Sequence, residues 1–159
     1  MSAIIGAAAG NNGGGNALLS IPMPAGVLAG HYLLASITVR GDVACAPNVY
    51  QSWSVRDDLS RFDGTSKTYV FDRTATGTEP ATWSWALNNG LGARASGVIV
   101  ATSAQTIAGG TPRVNASSVS CTANGLELPI SNPLIWFGGT SIGTTLTGTP
   151  AGFTLGALA

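Results

Sequence analysis

This 159-residue sequence predicts a single all-β domain of the β-sandwich or jelly-roll kind. Three observations lead there. Apolar residues recur at every second position in several short runs, which is the strand period. Gly, Pro and Asn punctuate the chain between those runs at the spacing of a many-stranded sheet protein. Strong helix formers gather over three turns nowhere.

The elements follow in chain order. Met1 to Asn16 reads as an N-terminal arm, because Asn11-Asn12-Gly13-Gly14-Gly15 has no fold of its own, while Ile4 and Ile5 supply an apolar anchor. The domain proper is expected over residues 17–159. From His31 to Arg40, Leu33, Ala35, Ile37 and Val39 make one apolar face, opposed by Ser36, Thr38 and Arg40, so the run predicts a half-buried strand. Tyr50 to Val55 is a further strand candidate. Lys67 to Arg73 sets Tyr69 and Phe71 on one face, and Thr82 to Leu87 alternates small residues with Trp83, Trp85 and Leu87. Ala93 to Thr102 is rich in Val and Ile and carries Gly97, where a bulge or a close backbone approach is expected. Asn115 to Cys121 and Pro133 to Phe137 complete the strands; the second is apolar on both faces, as a central or interfacial strand would be.

Charge narrows the functional classes. Charged residues make up 9 % of the chain, against roughly 25 % in an ordinary soluble domain. Residues 1–39 and 128–159 contain none. Charge keeps free domains dispersed, so two long uncharged ends point to surface that is covered in the working state. Inner strands and Gly-rich loops would give the same pattern. With seven cations against seven anions, the chain offers little to neutralise nucleic-acid phosphates or to hold an anionic membrane surface. No apolar run is long enough to span a bilayer as a helix. Met1 to Gly15 has no basic segment and does not read as a secretory signal, so assembly in a cytoplasm is expected.

Residues able to carry chemistry are few. Cys45 and Cys121 match no zinc or redox spacing and are expected as buried free thiols, with a disulfide as the other possibility. His31 is the only histidine and sits after a Gly turn at a strand start, a rim position and not a catalytic one. Asp57, Asp58 and Asp63 could offer oxygen ligands to Ca²⁺, but Arg56 and Arg61 lie among them and can pair with them, so a solvated mixed-charge loop is expected. No motif selects a glycosidase pair from Asp57, Asp58, Asp72 and Glu79. Trp53, Trp83, Trp85 and Trp136, with Tyr50 and Tyr69, could make a sugar-stacking platform, though alternating aromatics on strands more often fill a core. No catalytic residue, cofactor or metal is therefore expected.

Several segments in order carry a resemblance. Pro24-Ala25-Gly26-Val27-Leu28-Ala29-Gly30 leads into the Leu33 to Arg40 run. Thr78-Glu79-Pro80-Ala81-Thr82-Trp83-Ser84-Trp85 follows, then Ala95-Ser96-Gly97-Val98-Ile99-Val100, then a late Thr149-Pro150-Ala151-Gly152-Phe153-Thr154 turn. This order, over roughly Asn16 to Leu155, resembles a β-sandwich domain family common in phage tail, appendage and head-decoration proteins. His31 departs from the family, which usually has Asp there. The family also continues past the late turn, whereas this chain stops at Ala159, so an edge would be left for a neighbour to cover.

The resemblance implies a virion structural role. The expectation is a capsid decoration or cement protein that contacts the major capsid protein and itself, with a trimer favoured. The rival is a tail or appendage protein that binds host surface glycans. The expected subunit interface comprises Ile4, Ile5, Leu134, Ile135, Trp136, Phe137, Phe153 and Leu155.

Overall fold

β-Branched and aromatic residues at period two, broken by positive-φ glycines at Gly26, Gly30, Gly41 and Gly77, build a chain of strands and turns. The computed structural model describes residues 3–14, 16–48, 52–56, 61–62, 66–88 and 93–103. Within them run β1 (Ile4–Asn11), β2 (Leu18–Pro22), β3 (Tyr32–Arg40), β4 (Cys45–Pro47), β5 (Ser54–Val55), β6 (Arg61–Phe62), β7 (Ser66–Thr74), β8 (Thr82–Leu87) and β9 (Ala95–Thr102). No helix occurs among the described residues.

The strands form two antiparallel sheets. One has the order β1-β9-β3-β7-β5, with β6 also pairing β7; the other has the order β2-β8-β4. Both contribute to one core. Leu33, Ala35, Ile37 and Val39 of β3 are fully buried, as their alternation predicts. Phe71 of β7 and Ile99 of β9 lie opposite Ala35 on its two sides. From the second sheet come Leu19, Ile21, Trp83, Trp85 and Leu87.

Aromatic contacts tie the core together. Trp53 meets Trp83 edge-on at 5.2 Å and Trp85 at 5.5 Å, and Phe71 sits 6.1 Å from Trp85. Trp53, Trp83 and Trp85 are thus core residues and no exposed platform. Tyr69 stacks on Phe71 and donates its hydroxyl to Val43 O. Cys45 is a buried free thiol, and burial pushes its pKa up to about 12. Tyr50, Trp136 and Cys121 lie outside the described residues, as do the strand candidates Asn115 to Cys121 and Pro133 to Phe137.

β3 is buried more fully than a half-buried strand. Tyr32 and Leu34, on the face away from the main core, are also buried and cluster with Val70 of β7. That follows from its central position, with β7 on one side and β9 on the other.

The N-terminal segment differs from expectation. Ile4–Asn11 is no free arm; among the described residues it is the outermost strand on one side of the six-stranded sheet, paired with β9 from Ile4↔Thr102 to Asn11↔Ser96. A register shift between Ile4 and Gly6 marks a bulge at its start. Asn12, expected as part of a structureless run, is buried and pins the strand end. Its Nδ2 donates to Ala93 O at 2.7 Å and to Asn16 O at 3.0 Å, and its Oδ1 accepts from Ala95 N at 3.0 Å. Four hydrogen-bonding sites on one amide supply what the loop's glycines cannot.

β1 is hard to recognise because its inward positions are small. A Cβ on Gly6 would lie 2.6 Å from Ala25 O, and one on Gly10 would overlap Ser20 O. The backbone of β2 and its following turn rests directly on β1, so larger inward side chains are excluded. Gly97, in register with Gly10, is likewise a close approach and not a bulge. Its Cβ would lie 2.9 Å from both Ser36 O and Ile37 Cγ1, and its ladder to β3 is unbroken.

Candidate functional site

β7 reaches its end with Tyr69, Phe71 and Arg73 on the inward face, because alternate residues of a strand share a side. The first two fill the core. Arg73 is a cation in the same row, and an inward cation requires a partner. The turn that follows β7 provides one. Glu79 places Oε1 3.3 Å from Arg73 Nη2, with side-chain exposures of only 5 % for Glu79 and 11 % for Arg73.

The turn folds around the same carboxylate. Glu79 Oε1 accepts from Thr76 N at 2.5 Å and from Thr76 Oγ1 at 3.0 Å, while Oε2 accepts from Gly77 N at 2.8 Å. Gly77 is at φ 90°, and a Cβ there would come within 3.2 Å of Ala29 Cβ, so glycine suits this position twice over. The Arg73 guanidinium lies over Trp83, 4.5 Å from its ring centroid, with Trp53 at 5.9 Å. An indole beneath and a carboxylate beside it hold the cation in place.

Above this pair opens a cleft of about 380 Å³, lined by Ser52, Arg73, Thr76, Thr78, Glu79, Pro80 and Trp83. That size lies within the range of small-ligand sites. Ser52, Thr76 and Thr78 are exposed and form a hydroxyl rim; Arg73 and Glu79 form the floor.

Burial alone would raise the pKa of Glu79, but the hydrogen bonds from Thr76 and Gly77 outweigh it and hold the value below its ordinary level. A carboxylate with a lowered folded-state pKa contributes stability that is complete above its unfolded value of 4.5 and is lost as the pH falls below that. Thermal melts between pH 7 and pH 3 are expected to show Glu79→Gln less stable than wild type at neutral pH by about 1–3 kcal/mol. The two curves should converge in acid. Parallel curves would show that the ionised carboxylate does not hold the turn.

The sequence-derived candidates are dispersed. His31 turns back on its own loop: its Nδ1 accepts from Leu28 N at 3.1 Å, and its backbone oxygen accepts from Ala75 N at 2.8 Å. Asp72 and Glu79 do not share a site. Asp72 faces away from Arg73's side of β7, accepts from the Tyr32 hydroxyl, and pairs with Arg56 at 3.4 Å. Arg56 therefore meets Asp72, whereas Asp57, Asp58 and Asp63 lie outside the described residues. Among the described residues, no group of three His, Cys, Asp or Glu side chains could hold a metal ion. Nor is any helix there long and apolar enough to cross a membrane.

Of the expected interface residues, Ile4 is 40 % exposed, and Ile5 is partly buried against the core. Leu134, Ile135, Trp136, Phe137, Phe153 and Leu155 lie outside the described residues. Sequence reasoning missed the Arg73–Glu79 pair. The available signal was the register: an Arg two residues after Phe71 continues the inward row and demands a nearby anion.

No family model, curated protein or solved structure matches the chain.

Proposed function

We propose that this chain is a bacteriophage virion structural protein, a β-sandwich with jelly-roll-like connectivity that decorates the capsid head and stabilises it through protein–protein contacts. In this reading it packs against the major capsid protein and its own copies, as a trimer, and has neither catalytic residues nor a cofactor. The other reading is a tail or appendage protein that engages host glycans.

One observation carries the proposal. Among the described residues, β1 and β2 are each the outermost strand on one side of their sheets, they pack on one another, and neither contains a charged residue. Proteins normally guard exposed strand edges with charges, because a bare edge recruits another chain. Ile4 of β1 and Leu18 of β2 are exposed as well. Such an unguarded margin suits a subunit whose edge is covered after assembly. The order of segments that resembles phage β-sandwich domains supports the same reading.

Ile4→Asp and Leu18→Asp test it, since both side chains stand in solvent and a charge there should leave the fold intact. Each purified variant is expected to melt within about 0.5 kcal/mol of wild type yet fail to incorporate into particles. Electron microscopy of intact wild-type particles should place the chain on the head. Full incorporation of both variants, or density only on the tail, would remove the decoration reading.

A further inference from the structure

We infer that the cleft over Arg73 and Glu79 is a binding site for a neutral saccharide, held through a pair of adjacent ring hydroxyls. The inference is independent of where in a virion the chain resides, because it rests on the cleft's own chemistry.

The first argument is the donor count. A guanidinium carries five N–H groups. The only side-chain hydrogen bond that Arg73 makes among the described residues runs from Nη2 to Glu79, which leaves other N–H groups of the guanidinium without a protein acceptor. Unused donors this deeply set are costly unless something accepts from them. Beside them, Glu79 Oε2 accepts one bond from Gly77, which leaves it capacity for another. Donor and acceptor stand next to each other because the two side chains are themselves paired. A vicinal diol matches this arrangement: one oxygen accepts from Arg73 while the adjacent hydroxyl donates to Glu79 Oε2.

The second argument is charge. Arg73 and Glu79 cancel, and no other ionisable side chain among the described residues lines the cleft. An anion would meet the Glu79 carboxylate as well as the guanidinium, so the site has no net attraction for one. The remaining polar groups are the hydroxyls of Ser52, Thr76 and Thr78, which donate and accept equally well. Pro80 adds an apolar wall of the kind that lies against the C–H face of a pyranose.

The third is rigidity. Arg73 rests on Trp83, and Glu79 is fixed by three hydrogen bonds from its own turn, so the polar groups are set before a ligand arrives. Preorganisation reduces the ordering cost that otherwise defeats weak polar ligands. Trp83 beneath the guanidinium also provides a reporter.

The test uses the full chain, methyl α-D-glucopyranoside, methyl α-D-mannopyranoside and methyl β-D-galactopyranoside, followed by tryptophan emission and ligand-observed NMR. A saturable response with a Kd on the order of millimolar is expected from at least one of them. The fully O-methylated glucoside should give none. Thr78→Val and Ser52→Ala, both at exposed rim positions, should melt like wild type and bind about tenfold more weakly. The inference is overturned if none of the three glycosides saturates. It is equally overturned if sodium sulfate or glucuronate binds in their place, or if the rim variants bind as wild type does.

Discussion

Trp85→Ala is expected to lower the unfolding free energy by about 3–5 kcal/mol, the largest loss for any single truncation in the described core. Trp85 is fully buried on β8, opposite Leu19 of β2 and Pro47 of β4, and its ring tilts against Trp53 and Phe71. It therefore links both neighbours in its own sheet to β7 of the other. Removing the ring leaves a cavity walled by rigid strands that cannot close it. Trp85→Phe should be much milder. It keeps most of the contact area and removes Nε1, a buried donor with no partner. Urea denaturation of the three proteins measures this directly. A loss below about 1 kcal/mol for the Ala variant would mean that the two sheets do not meet across this residue.

Gly10→Val should cost about 2–4 kcal/mol, through overlap and not through lost contact. A Cβ at Gly10 would strike Ser20 O and lie 3.2 Å from Ile21 Cγ1 and 3.3 Å from Ile21 Cα. Two of those three obstacles are backbone, so β1 and β2 must separate. Gly13→Ala is the control. Gly13 lies three residues further on at φ 64° with nothing near its Cβ position, and the substitution should cost only about 1 kcal/mol of backbone strain. In a free arm the two positions would be equally tolerant. Denaturation midpoints and amide exchange across Ile4–Asn11 separate the cases. If Gly10→Val is as stable as wild type, β1 does not lie against β2.

The core strands were legible in the sequence, and β5 lies within the expected Tyr50 to Val55 run, but β1 and β2 were not legible. β3, β7 and β8 carry a period-two pattern because each presents one face to a shared interior, whereas β9 was legible as a run rich in Val and Ile, continuously apolar from Val98 to Ala101. β1 answers a different demand. Its inward residues Gly6, Ala8 and Gly10 are small so that another backbone can approach, and small residues in a row look like a linker. β2 hides for a related reason: its five residues include Pro22 at the end, and its alternation of Leu19 and Ile21 spans only two inward positions. Asn12 completes the concealment. An Asn beside glycines reads as a loop, and only the positions of Ala93 and Ala95 show that its amide is fully used.

The candidate cleft was half legible for the same kind of reason. Glu79 stood out as one of few acids, and Trp83 as a core aromatic, but nothing in their spacing says that Arg73 lies between them. That juxtaposition depends on β7 running its inward row to the strand end and on the turn doubling back over it. Composition and periodicity by themselves determined the all-β class, the low charge, the inward faces of β3, β7 and β8 and the burial of Trp53, Trp83 and Trp85. These are properties of single segments, set by hydrophobic partition along the strand. Tertiary structure alone decided the order of the described strands, that the N-terminal segment belongs to a sheet, and that Arg73, Glu79 and Trp83 converge. Those depend on contacts between residues far apart in the chain, where packing distance and hydrogen-bond satisfaction select the partner and leave no periodic trace.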